Sequence, residues 1–424
     1  MIPSLTSRAL LAGVIGALSL TACAAGETPP TEVPSETVAQ GKAGEDEREV
    51  SSLRPRALLA HDKGLTLIDL TTGDTVLETE RPGFKRLNQA GNGRHLLVTE
   101  GDKFTVYDGG IESQPHGDHD HKYEYNPGPT EVSYAAPKAG HAVVHAEHTV
   151  LFSDGTGEIT VLPTADIAKA DAKTEKFKTE EAHHGVALRL TDGSLLTTQG
   201  NEDARTTVQQ LRDGKPAAET KDCPGVHGEA AAAPNAKGDV VAFGCENGPV
   251  IFRDGAFHKV KVADAYARSG NLFGSHDSPI VLADYKVDKD AEKEEPTRVA
   301  LIDTRTDELK LVELGSSYWF RSFTRGEHGE GLVLTQDGKL QVIDLDQGTV
   351  IHSIEVMKPW TQPDDWQEPG PLVKVADHRA YVVDTEGKQI VVVDFDKGTV
   401  DRRIPLEHAP GEMEIVTGSA GHKH

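Results

Sequence analysis

Between His116 and His121 the chain places three imidazoles and two carboxylates, His116, Asp118, His119, Asp120 and His121, with Gly117 as the only spacer. Imidazole nitrogens are borderline-soft donors and carboxylate oxygens are hard ones, and a backbone that flexes can bring both around one divalent cation. A loop of this composition, residues 115–122, predicts metal binding, with zinc as the first expectation. The same residue types also favour plain solvated turns. A second set of histidines is spread along the chain. His141, His184 and His227 follow one another at intervals of 43 residues, in Gly140-His141-Ala142-Val143-Val144, His183-His184-Gly185-Val186-Ala187 and Val226-His227-Gly228-Glu229-Ala230. Equal spacing brings side chains together only if the chain repeats a structural unit at that period.

Such a unit is legible. From about Leu53 onward, short runs of Val, Ile, Leu, Thr and Tyr alternate with Gly, Asp, Asn and Pro, the pattern of strands and tight turns. The phrase Leu65-Thr66-Leu67-Ile68-Asp69-Leu70-Thr71-Thr72-Gly73 returns as Leu340-Gln341-Val342-Ile343-Asp344-Leu345-Asp346-Gln347-Gly348. It returns again as Ile390-Val391-Val392-Val393-Asp394-Phe395-Asp396-Lys397-Gly398, and more loosely at Val299–Thr304. Each is an apolar strand, an Asp, and a turn usually closed by Gly. Spacings of 39 residues from Asp69 to Asp108, 41 from Asp303 to Asp344 and 50 from Asp344 to Asp394 are those of propeller blades, four strands apiece.

The expected fold is therefore an all-β propeller, eight-bladed with seven as the alternative, occupying 53–418. The strand around Met413 to Val416 would complete the first blade and close the ring, since an open propeller leaves sheet edges unpaired. The phrases resemble YVTN and quinoprotein-like repeats. In a propeller the innermost strands line the central channel, so a His at the start of three successive innermost strands places three imidazoles around one axis. A tetrahedral ion wants a fourth ligand. His408, just ahead of the closing strand, is the expected one, with Glu229 and Glu412 in reserve.

The chain opens with Arg8 and an apolar run from Ala9 to Leu20, too short to span a bilayer, ending in Leu20-Thr21-Ala22-Cys23. That ending resembles a bacterial lipobox. It predicts a signal peptide at 1–22, lipidation of Cys23 and an extracytoplasmic protein anchored to the cell membrane, with an ordinary cleavage site as the alternative. Residues 23–52 are rich in Pro, Glu, Thr, Ser and Gly and read as a flexible tether; 419–424 form a His-containing tail. A net charge of −24 argues against nucleic acid as a partner. Without Cys23, Cys223 and Cys245 remain, and in an oxidising compartment a disulfide is the default for a single pair.

Taken together, the His/Asp-rich loop, Gly140-His141-Ala142-Val143-Val144-His145, His183-His184-Gly185-Val186-Ala187 and Cys223-Pro224-Gly225-Val226-His227-Gly228-Glu229-Ala230 resemble the AztD-type zinc chaperones over essentially the whole mature domain. The resemblance implies a metallochaperone that holds Zn²⁺ and passes it to the substrate-binding protein of a zinc ABC importer. His141, His184 and His227 would form its channel-mouth site and 116–121 its mobile loop. Two other classes stay open: a surface-tethered scaffold for protein contacts, and a metal-dependent enzyme with Glu229 as general base. Against an enzyme stands the absence of a Gly-x-Ser-x-Gly or phosphate-loop motif. Affinity of any His site is expected to fall as pH drops through the imidazole range.

Overall fold

The computed structural model describes residues 42–326 and 329–420; the signal segment, Cys23, most of the expected tether and the tail histidines His422 and His424 lie outside the described residues. Among the described residues the chain is strand and turn, apart from one 3-10 turn at Thr164–Asp166, and no helix there is long and apolar enough to cross a membrane. The strands make eight four-stranded antiparallel sheets and one three-stranded sheet, the meander architecture of a β-propeller.

The repeated phrase builds the turns of these sheets. Asp69 Oδ1 accepts hydrogen bonds from the backbone N–H groups of Thr71 at 2.7 Å and Thr72 at 3.0 Å, and Gly73 then takes φ of 85°. Asp344 and Asp394 do the same work for Gln347 N at 2.9 Å and Lys397 N at 3.0 Å, each followed by a left-handed glycine, Gly348 and Gly398. Aspartate mimics a backbone turn and glycine supplies the positive φ. Middle strands such as Gly64–Asp69 are buried along their whole length because a sheet packs on each face, whereas an outermost strand such as Thr75–Glu80 is largely exposed.

Apolar clusters join sheet to sheet. Val186, Leu188 and Val208 of one meet Val241, Phe243 and Val250 of the next, and Ala57, Leu59 and Ile68 meet Val383, Ile390 and Val392 of the last. Each fully buried Val, Leu or Phe contributes ~1.5–3 kcal/mol. The C-terminal strand Glu412–Val416 pairs antiparallel with Arg56–His61, Arg56 opposite Val416 and Ala60 opposite Glu412, so one sheet is built from both ends of the chain.

The segment 115–122 differs from the loop expected. Ile111–His116 and His119–Glu124 are paired strands, with Pro115 opposite Asp120 and His116 opposite His119, and the turn is Gly117-Asp118. The hairpin is inserted between Lys103–Asp108 and Gly128–Ala135, which remain neighbours in their own sheet. A glycine-containing two-residue turn suits a tight hairpin; polar composition concealed the strands because beyond Ile111 neither face is buried in the core. Its third strand is Arg48–Val50, paired with Lys122–Glu124 and drawn from the stretch read as tether.

Candidate metal centre

His141 lies near the start of the strand Ala139–His145, His227 opens His227–Asn235, and His184 precedes Ala187–Arg189 by three residues. These are edge strands of three successive sheets. Their rings converge: centroids are 4.9 Å apart for His141 and His184, 5.3 Å for His141 and His227, and 5.1 Å for His184 and His227. One nitrogen from each lies within 4.8 Å of the others, with His141 Nε2 and His184 Nε2 at 3.3 Å.

The outward nitrogens of two rings are already engaged. His184 Nδ1 is 2.5 Å from Asp154 Oδ2, and His227 Nδ1 is 2.6 Å from the carbonyl of Gly270. Both partners accept a hydrogen bond from Nδ1–H, which fixes the tautomer with a bare Nε2 lone pair turned inward, the arrangement that prepares an imidazole for a metal. Gly228 makes the second of these contacts possible. Its φ is 73°, and a Cβ there would meet the Gly270 oxygen at 2.5 Å.

Burial pushes the His227 imidazole down to about 4, helped by the neighbouring His184, and holds His141 well below the ordinary range, with His184 and His227 adding to the effect. Protonating either would bury an unpaired charge, so these imidazoles stay neutral and able to ligate at neutral pH. The three rings line a cavity of about 430 Å³ together with Glu229, Arg86, Arg268 and Lys286. The cations there have counter-charges: Glu412 lies 3.8 Å from Arg86, Glu246 lies 3.8 Å from Arg268, and Asp284 lies 3.3 Å from Lys286. An incoming divalent cation therefore does not face three bare positive charges. Burial raises the Glu229 carboxyl to about 8, so it is protonated at neutral pH, and its Oε2 is buried with no hydrogen-bond partner.

His408 is placed elsewhere. Its ring lies tilted against His61, centroids 4.5 Å apart, and with Asp62 these two form a separate cluster, which removes it as the fourth ligand of the three-histidine site. The reason is topological: the closing strand begins only at Glu412, and the chain ahead of it passes the His61 end of Arg56–His61 instead of entering the cavity. Glu412 itself is engaged by Arg321 at 2.7 Å.

At the hairpin, strand alternation divides what composition had grouped. His116, His119 and His121 share one face, with centroids 5.0 to 5.3 Å apart and His119 Nε2 at 3.3 Å from His121 Nε2. Asp120, opposite Pro115, belongs to the other face, and Asp118 sits in the turn with Oδ1 3.2 Å from His119 Nδ1. Glu49 of the Arg48–Val50 strand approaches His121 Nδ1 at 2.7 Å. Neither Glu49 nor Asp154 carries a sequence signal, because each meets its histidine only through folding.

The disulfide Cys223–Cys245 forms, across a sequence separation of 22, next to the start of the His227 strand. His183 is buried on Thr198 Oγ1 at 2.9 Å and His145 on Asp239 at 3.1 Å, so neither joins the cluster. Removing the carboxylate behind His184, by Asp154→Ala, is expected to weaken zinc binding about 10- to 100-fold with the fold intact, read by competition with a chromophoric chelator.

Among known proteins, the chain is 25% identical over 373 residues to the zinc chaperone AztD of Citrobacter koseri, a homologue matched over 85% of each chain. The crystal structure of Citrobacter koseri AztD superposes with a TM-score of 0.74 at 22% identity, covering 87% of this chain and all (100%) of that one. The dihydro-heme d1 dehydrogenase NirN superposes with a TM-score of 0.54 at 11% identity over 89% of this chain and 77% of its own, a likeness of fold alone. No protein-family model matches the chain.

Proposed function

We propose that the protein is an extracytoplasmic zinc metallochaperone: it holds Zn²⁺ as cargo at His141, His184 and His227 and delivers it to the substrate-binding protein of a zinc ABC importer. The observation that carries this reading is the convergence of three imidazoles whose inward nitrogens lie within 4.8 Å, two of them backed by Asp154 and Gly270. Similarity to a zinc chaperone over 85% of the chain supports the same cargo.

Three imidazole ligands leave a tetrahedral ion one open position. Glu229 lines the same cavity and is the reserve for it, releasing its proton when the ion arrives. The exposed set His116, His119 and His121, with Asp118 and Asp120 beside it, serves as a second and weaker set of ligands for loading or delivery. An open position also lets an acceptor's ligand enter before a protein ligand leaves, so the ion is never free. A lipid on Cys23 would keep the carrier at the membrane that holds the importer. We assign no catalytic role, since the site holds cargo and no nucleophile motif accompanies it.

The test is transfer under competition. Zinc-loaded protein mixed with the apo substrate-binding protein should pass on its zinc in the presence of a chelator that strips the free ion. Transfer that slows in proportion to chelator concentration would mean release into solution and would sink the reading.

A further inference from the structure

We propose that His61, Asp62 and His408 form a further binding site for a borderline divalent transition-metal ion, separate from the three-histidine cavity and from the hairpin. Their donor atoms lie within 4.8 Å of one another. His61 closes the strand Arg56–His61 and pairs with Gly64 across the Asp62-Lys63 turn. His408 arrives from the other end of the chain, in the segment between Thr399–Pro405 and Glu412–Val416, where the backbone N–H of Gly411 donates to the Ala60 carbonyl at 2.9 Å. The completed sheet thus holds the His61 ring at the end of a strand and ties the segment carrying His408 to that strand.

A second observation points to a ligand. The His61 side chain is only 6% exposed, and its Nε2 is 2.9 Å from the Thr66 hydroxyl oxygen, which can accept a hydrogen bond from Nε2–H. Its Nδ1 is buried with no hydrogen-bond partner. Native structures seldom leave such an atom unsatisfied. A proton on Nε2 leaves a bare lone pair on Nδ1, 3.9 Å from the Asp62 carboxylate, in a ring whose centroid is 4.5 Å from that of His408. That is the tautomer a metal-ligating histidine needs, with Thr66 in the orienting role.

Two imidazoles and one carboxylate select a borderline ion such as Zn²⁺, Ni²⁺ or Cu²⁺ over Ca²⁺ or Mg²⁺. Bond lengths of 2.0–2.1 Å put tetrahedral donors about 3.3 Å apart, so the set must contract. The Asp62 side chain, 78% exposed, is free to supply that movement, and Glu407, 3.6 Å from His408 Nε2, adds negative charge. Lys85 lies nearby but is held by the Gly83 carbonyl at 2.8 Å and by Glu100 at 3.9 Å. A site that must contract and keeps open positions binds more weakly than the cavity and exchanges its ion readily.

The test is Zn²⁺ binding by equilibrium dialysis on the full-length chain, comparing wild type with His408→Gln and Asp62→Asn. Both changes lie outside the apolar clusters and leave the buried His61 in place. One zinc equivalent should weaken on the order of 100-fold in each variant, while the tightest equivalent is unchanged. The same difference should persist when His408→Gln is made in a His141/His184/His227 triple alanine background, so failure of the function proposed above would not hide it. Identical isotherms for wild type and His408→Gln, or loss of this equivalent in the triple variant alone, would overturn the assignment.

Discussion

Replacing His141, His184 and His227 together with alanine should strip the protein of its tightly held zinc, from about one equivalent to the weak binding of the remaining sites. Affinity at the cavity should fall on the order of a thousandfold or more, since structural zinc sites derive apparent binding energies of ~10–16 kcal/mol from their ligand sets. The three rings line a cavity and contribute to none of the apolar clusters that join the sheets, so the variant should still fold, with an unchanged far-ultraviolet spectrum. A companion variant with His116, His119 and His121 changed to alanine should keep the equivalent and lose speed of loading or transfer. Metal content by plasma mass spectrometry decides between them. If the triple variant retains its zinc, the cavity is not the cargo site, and a surface scaffold becomes the better description.

Zinc at the cavity should also resist acid better than ordinary imidazoles allow. Each imidazole that must lose a proton to bind costs about tenfold in affinity per pH unit below its own pKa, so three ordinary ones would lose about a thousandfold per unit below 6.5. Burial pushes His227 to about 4 and His141 well below the usual range, so these two need give up no proton to bind just below pH 6.5. Affinity just below pH 6.5 should therefore fall far less steeply than that thousandfold per unit. Glu229→Gln is the background in which to measure it, because Glu229, raised to about 8, adds a proton of its own. A thousandfold loss per unit would contradict the burial argument.

Without zinc the same shifts act on stability with the opposite consequence for the fold. The unfolded chain takes up protons at its ordinary imidazoles first, so the metal-free protein loses stability as pH falls through 6.5 and is fully penalised only below about 4. For His227 this penalty is of the order of 3 kcal/mol. Bound zinc offsets it by mass action.

The sequence by itself determined the elements and their repeat. The Asp-turn-Gly phrase is local chemistry, an aspartate bonding to backbone two or three residues on and a glycine taking positive φ, so it can be read without knowing the fold. The 43-residue spacing of His141, His184 and His227 carried through for the same reason: a repeat period fixes which residues occupy equivalent places on successive sheets. The tertiary structure alone decided everything that depends on direction and on distant partners. Side chains alternate across a strand, which separated Asp120 from the hairpin histidines. Asp154 and Glu49 reach their histidines across other strands, and no spacing announces them. His408 shows the limit most clearly. It lies four residues ahead of a strand whose place was foreseen, yet the path of those four residues past the end of Arg56–His61, set by backbone pairing to Ala60, carried its ring to His61 and away from the cavity.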